Sequence, residues 1–77
     1  MNLNDIREVL DTAFPGGKIE LEADGDRLML ALVSDKFEGL NRVKRQQLVY
    51  SLLKDMISSG VVHAITMRTI TPQEAES

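Results

Sequence analysis

The chain has no cysteine and no tryptophan, and it has one histidine, one tyrosine and two phenylalanines among its 77 residues. Without cysteine there is no disulfide framework, no CxxC redox motif, no thiolate nucleophile and no self-contained zinc site. Long apolar runs are missing too: the longest, Leu28 to Val33, is six residues, against the roughly 20 that a membrane-spanning helix needs. No excess of positive charge is present, since nine Lys and Arg stand against twelve Asp and Glu, for a net charge of −3. Affinity for nucleic acid would therefore need a local basic patch. The opening residues Met1 to Asp5 carry neither the basic nor the apolar region of a secretory signal. A cytoplasmic protein is expected.

What is present suits one small folded domain spanning residues 1–77. The 43% hydrophobic and 27% charged content lies away from the polar, highly charged compositions that stay disordered. Chains of this length build a single core.

Apolar residues at Leu3, Ile6, Val9, Leu10 and Ala13 follow a 3.6-residue period, with Asn2 or Asn4 as N-cap, and predict a first helix. Pro15-Gly16-Gly17 ends it. Lys18 to Ala23 alternates polar and apolar as a half-buried strand does, and Asp24-Gly25 before the next apolar run predicts a two-residue hairpin turn. That turn would set Leu21 against Leu28, Ile19 against Leu30 and Glu22 against Arg27. One face would then carry Ile19, Leu21, Leu28, Leu30 and Leu32.

Ser34 to Leu40 reads as a loop, and Asn41 to Ser58 as one long amphipathic helix capped by Gly60. Val61 to Ile70, rich in β-branched residues, predicts a third strand, parallel to the second if it pairs with it. Thr71-Pro72 would end it and leave a polar tail, Gln73 to Ser77. The expected fold is α+β in the order α-β-β-α-β, a three-stranded mixed sheet with helices on one face.

Few residues offer chemistry. His63 alone combines titration near neutral pH with affinity for borderline metals. It reads either as a sheet-margin histidine satisfied locally or as one ligand to a metal centre completed by a partner, because one imidazole does not hold a metal alone. Arg42, Lys44 and Arg45 place three cations in four residues at the start of the long helix. They either solvate the helix end or form a phosphate-contacting patch. The acidic residues are scattered without a spacing for paired acid/base work, and no nucleophile, base and orienting group can be assembled. An enzyme acting on a small-molecule substrate is not expected.

Phe37-x-Gly39, Val49-Tyr50 with twelve residues between it and His63-Ala64, and Thr71-Pro72-x-Glu74 occur here in one order. In that order they resemble the BolA-like family, and Val43-Lys-Arg-Gln-Gln47 resembles its shorter branch. The resemblance implies a class II KH-like sandwich. It also implies a non-enzymatic adaptor that pairs with a monothiol glutaredoxin as a heterodimer and shares a bridging [2Fe-2S] cluster, in iron-sulfur trafficking or in iron and stress regulation. On that pattern His63 is a cluster ligand, and the glutaredoxin and glutathione supply thiolates. Many family members carry a second His or Cys ligand in the first hairpin. Here Ala23 to Arg27 offers neither, which leaves either a cluster held by His63 alone or with a carboxylate such as Asp24 or Asp26, or an apo partnership with a weak cluster. The alternative implied by the resemblance is a DNA-binding transcriptional regulator using Arg42, Lys44 and Arg45.

Overall fold

The computed structural model describes residues 1–76. Helix α1 covers Leu3–Ala13, with Asn2 as its N-cap and the Asn2 Oδ1 accepting the Asn4 N–H at 3.0 Å. Strands β1 (Lys18–Asp24) and β2 (Arg27–Val33) form an antiparallel hairpin. After a 3₁₀ turn at Asp35–Phe37 come α2 (Arg42–Leu52), α3 (Lys54–Ser58), β3 (Ala64–Ile70) and α4 (Pro72–Ala75). The sheet order is β1-β2-β3, and β2 pairs with β3 in parallel. This is the expected α+β architecture: a parallel pair needs a crossover, and α2 with α3 provides it.

The core lies between one face of the sheet and the helices. Ile6, Leu10 and Phe14 reach it from α1 and its exit, Ile19, Leu28, Leu30 and Leu32 from the sheet, and Val49 and Leu53 from the second helical region. Phe37 is fully buried and its ring centroid lies 5.2 Å from that of Phe14. The loop that contains it is therefore anchored in the core.

Four expectations change. The hairpin pairs Leu21 with Leu30 and Ile19 with Leu32, so the two turn residues are Gly25 and Asp26, and Arg27 faces Asp24 while Glu22 faces Met29. A turn centred on Asp24-Gly25 would need positive φ at Asp24, whereas among the described residues only glycines adopt it and Gly25 has φ +60°. Positive φ at the first turn position alone suits a type II′ turn with glycine there. The slip is two residues, so every side chain keeps its expected face.

The long helix is two segments. Leu53 breaks it with φ −102° and ψ 10°, and its N–H is shared between the Val49 and Tyr50 carbonyls at 3.2 Å each. No Pro or Gly marks this break. The third strand begins at Ala64, because the N–H groups of Val61 and Val62 already bond the Met56 carbonyl at 3.1 and 3.3 Å and cannot join a ladder. The expected polar tail contains α4, closed by a capping box: Thr71 Oγ1 accepts the Glu74 N–H, and Glu74 Oε1 accepts the Thr71 N–H. Glu76 caps this helix, and Ser77 lies outside the described residues.

Replacing Phe37 by Ala removes a fully buried aromatic, and the expected loss is about 3 to 5 kcal/mol. That is much of the stability of a small domain. Urea unfolding followed by far-UV circular dichroism measures it, and a loss under 1 kcal/mol would show that the loop is not held by its phenylalanine.

Candidate functional site

His63 sits where two turns meet. On one side α3 ends in a Schellman arrangement: the Gly60 N–H donates to the Ile57 carbonyl and the Val61 N–H to that of Met56, both at 3.1 Å. This demands a left-handed residue at Gly60, whose φ is +81°. Val62, 1% exposed, then plugs the core and holds the chain against the sheet. On the other side is the β1–β2 turn, where the Asp26 carbonyl accepts the His63 N–H at 2.9 Å. The next pair, Arg27 with Ala64, opens the parallel ladder. His63 is therefore fixed at the hairpin end of the sheet, one residue outside β3.

The side chains repeat the contact made by the backbones. His63 Nδ1 lies 3.1 Å from Asp26 Oδ2, with the two side chains 60% and 63% exposed. A contact this open contributes at most about 1 kcal/mol to stability even with the ring charged, so its interest is geometric. A Cβ on Gly60 would stand 3.3 Å from His63 Nε2. Glycine therefore leaves the flank of that nitrogen free of a side chain. Among the described residues no group of three or more His, Cys, Asp and Glu could hold a metal ion. The chemistry available is one accessible imidazole with a carboxylate behind it. These donors fit a metal or cluster whose other ligands come from a second molecule, and they do not fit a site complete within this chain.

The basic residues lie at the opposite end of β3, roughly 20 Å away by strand rise. Arg42 and Lys44 are exposed, and the Lys44 N–H donates to its N-cap Asn41 Oδ1 at 2.9 Å. Arg45 is different: its side chain is 13% exposed and engaged within the fold. Its Nε donates to the Leu40 carbonyl at 2.8 Å, and its Nη1 to the Thr69 carbonyl at 3.2 Å and to Glu74 Oε1 at 2.6 Å. The guanidinium also lies 5.9 Å from the centre of the Phe37 ring. Arg45 thus ties α2 to the end of β3 and to α4. The three cations do not form one exposed patch. Arg42 and Arg45 do share the lining of a cleft of about 510 Å³ with Arg68.

Glu74 is held below the ordinary glutamate range, first by the Thr71 backbone N–H that it accepts and then by Arg45. The signal for this latch was in the sequence, since Thr71-x-x-Glu74 is a capping-box spacing. Asp26 and Asp24 were both candidates to accompany His63 from sequence, and the parallel register that pairs Arg27 with Ala64 selects Asp26, 37 positions away.

A small α+β chain with three mixed strands, helices on one face and an outward-facing histidine at the hairpin end defines the class. The chain belongs to the BolA-like protein family, whose profile matches residues 10–74. It is 39% identical over 74 residues to a protein of Acinetobacter guillouiae from the rpoN–murA intergenic region, covering 96% of this chain and 89% of the relative. The acid stress protein IbaG of Escherichia coli K12 is 34% identical over 74 residues, with 96% and 88% covered. The solved BolA domain of SufE1 from Arabidopsis thaliana superposes with a TM-score of 0.86 at 34% identity, covering 92% of each chain. No helix among the described residues is long and apolar enough to cross a membrane.

Two outcomes follow. Gly60→Ala forces an L residue into positive φ and should cost about 1 kcal/mol or more, read by thermal unfolding; an unchanged midpoint would contradict the cap. For Glu74 the folded carboxyl titrates below the unfolded one, so its contribution is complete above the unfolded value and is lost as pH falls through the folded value. Wild type should lose stability over that acid window more steeply than Glu74→Gln, and identical acid profiles in urea unfolding would show that the latch contributes nothing.

Proposed function

We propose that this chain is a non-enzymatic cytoplasmic adaptor that binds a monothiol glutaredoxin as a heterodimer and shares a bridging [2Fe-2S] cluster with it. The observation that carries the reading is His63: an accessible imidazole on a residue whose backbone N–H is held by the Asp26 carbonyl, in a family whose pattern implies a cluster ligand at this position. His63 would hold iron from this side, while glutaredoxin and glutathione would supply the thiolates that a cysteine-free chain lacks. When bound, such a cluster supplies an iron-sulfur unit that can be passed on or sensed. The chain's own part is to present the ring, to keep it in place at no cost to the core, and to offer a surface to the partner.

Less supports the DNA-binding alternative. Of Arg42, Lys44 and Arg45, the last is bound within the fold, and the net charge of −3 opposes a polyanion.

Titrating the chain into a cluster-loaded monothiol glutaredoxin and following visible circular dichroism tests the adaptor reading. Wild type should produce a new spectrum, and His63→Ala should leave the glutaredoxin spectrum as it was. If His63→Ala gives the same mixed spectrum as wild type, His63 is not a ligand.

A further inference from the structure

Asp26 meets His63 twice, once through its carbonyl, which accepts the His63 N–H at 2.9 Å, and once through its carboxylate, 3.1 Å from Nδ1. The backbone bond sets the two residues side by side before their side chains are considered. Both side chains are short, so holding them in register costs little rotamer freedom. An ionised carboxylate can only accept hydrogen bonds, so a neutral imidazole beside it keeps its single proton on Nδ1. The lone pair is then on Nε2, the nitrogen bordered by Gly60, where a Cβ would stand at 3.3 Å.

We infer that Asp26 is a positioning residue that fixes the tautomer and orientation of His63, so that Nε2 is the atom offered to a partner-borne iron. The inference rests on the proposed ligand role of His63 and extends it to the hairpin. A carboxylate behind a ligating imidazole fixes the ring and raises its basicity. Asp26 acts through the ring and not as a ligand itself, because its Oδ2 already lies against Nδ1 and iron in such clusters is held by thiolate and imidazole ligands. The chain thereby has one iron donor and one carboxylate support.

Long-range ¹H–¹⁵N correlation spectra of the free chain, taken where the ring is neutral, read the tautomer directly. Wild type should show mainly the Nδ1–H form. Asp26→Asn, with its side-chain oxygen turned to Nδ1 as the carboxylate oxygen is, should keep it, and Asp26→Ala should shift the balance to the Nε2–H form. In the mixed complex Asp26→Ala should weaken cluster retention against a chelator about tenfold, at the low end for a supporting residue, while Asp26→Asn stays near wild type. A wild-type tautomer balance in Asp26→Ala overturns the inference. So does an Asp26→Asn variant that keeps the tautomer and loses the cluster as Asp26→Ala does, since the carboxylate would then be the ligand. The proposed function fails by a different result, a mixed spectrum indifferent to His63→Ala, which leaves the tautomer of the free chain standing.

Discussion

The parallel pairing of β2 with β3 is the constraint on which the rest depends. A parallel neighbour cannot be reached by a hairpin, so the chain must leave Val33, cross the sheet through Phe37, α2 and α3, and return in register. The return is closed by one backbone bond, from the His63 N–H to the Asp26 carbonyl at 2.9 Å. At the far end the Ser34 N–H donates to the Ile70 carbonyl at 3.0 Å, and Arg45 reaches the Thr69 carbonyl from α2. The crossover is thus held at both ends of the strand it delivers. The candidate site lies at one of them.

This placement separates stability from function. The fully buried apolar side chains include Phe14, Phe37, Leu28, Leu32 and Leu53, all on the helix side of the sheet. His63 and Asp26 contribute little to that core because both side chains are more than half exposed. Their positions are set by a main-chain bond, His63 N–H to the Asp26 carbonyl, that any residue type but proline at position 63 could make. The side chains at these positions are therefore free to serve recognition or ligation, while Val62, next to His63 and 1% exposed, keeps the segment in place. Arg45 shows the opposite case, a charged residue whose guanidinium is committed to the fold.

Much of this was legible from residue pattern. Periodicity located α1, the strands and the inward face, because apolar spacing of 3.6 or 2 reports directly on which side is buried. The features that escaped depend on interactions between distant residues or on competition among backbone bonds. Asp24-Gly25 is a strong turn signal, yet backbone sterics put Gly25 first and Asp26 second, and the separate pairing of Arg27 with Ala64 sets Asp26 beside His63. Leu53 interrupts the helix with no sequence breaker. Val61 and Val62 have strand propensity, but their N–H groups are taken by the cap at the end of α3. Arg45 looked like part of a basic cluster because its partners, Thr69 and Glu74, are 24 and 29 positions away.

In the proposed function this chain gives one imidazole nitrogen to an iron-sulfur cluster shared with a partner. Electron-nuclear double resonance of the reduced mixed complex, with only this chain carrying ¹⁵N-histidine, tests it directly: one histidine is present, so any strong ¹⁵N coupling belongs to His63. One strongly coupled ¹⁵N is expected. A reduced cluster in the complex with no coupling to this chain's histidine would contradict it.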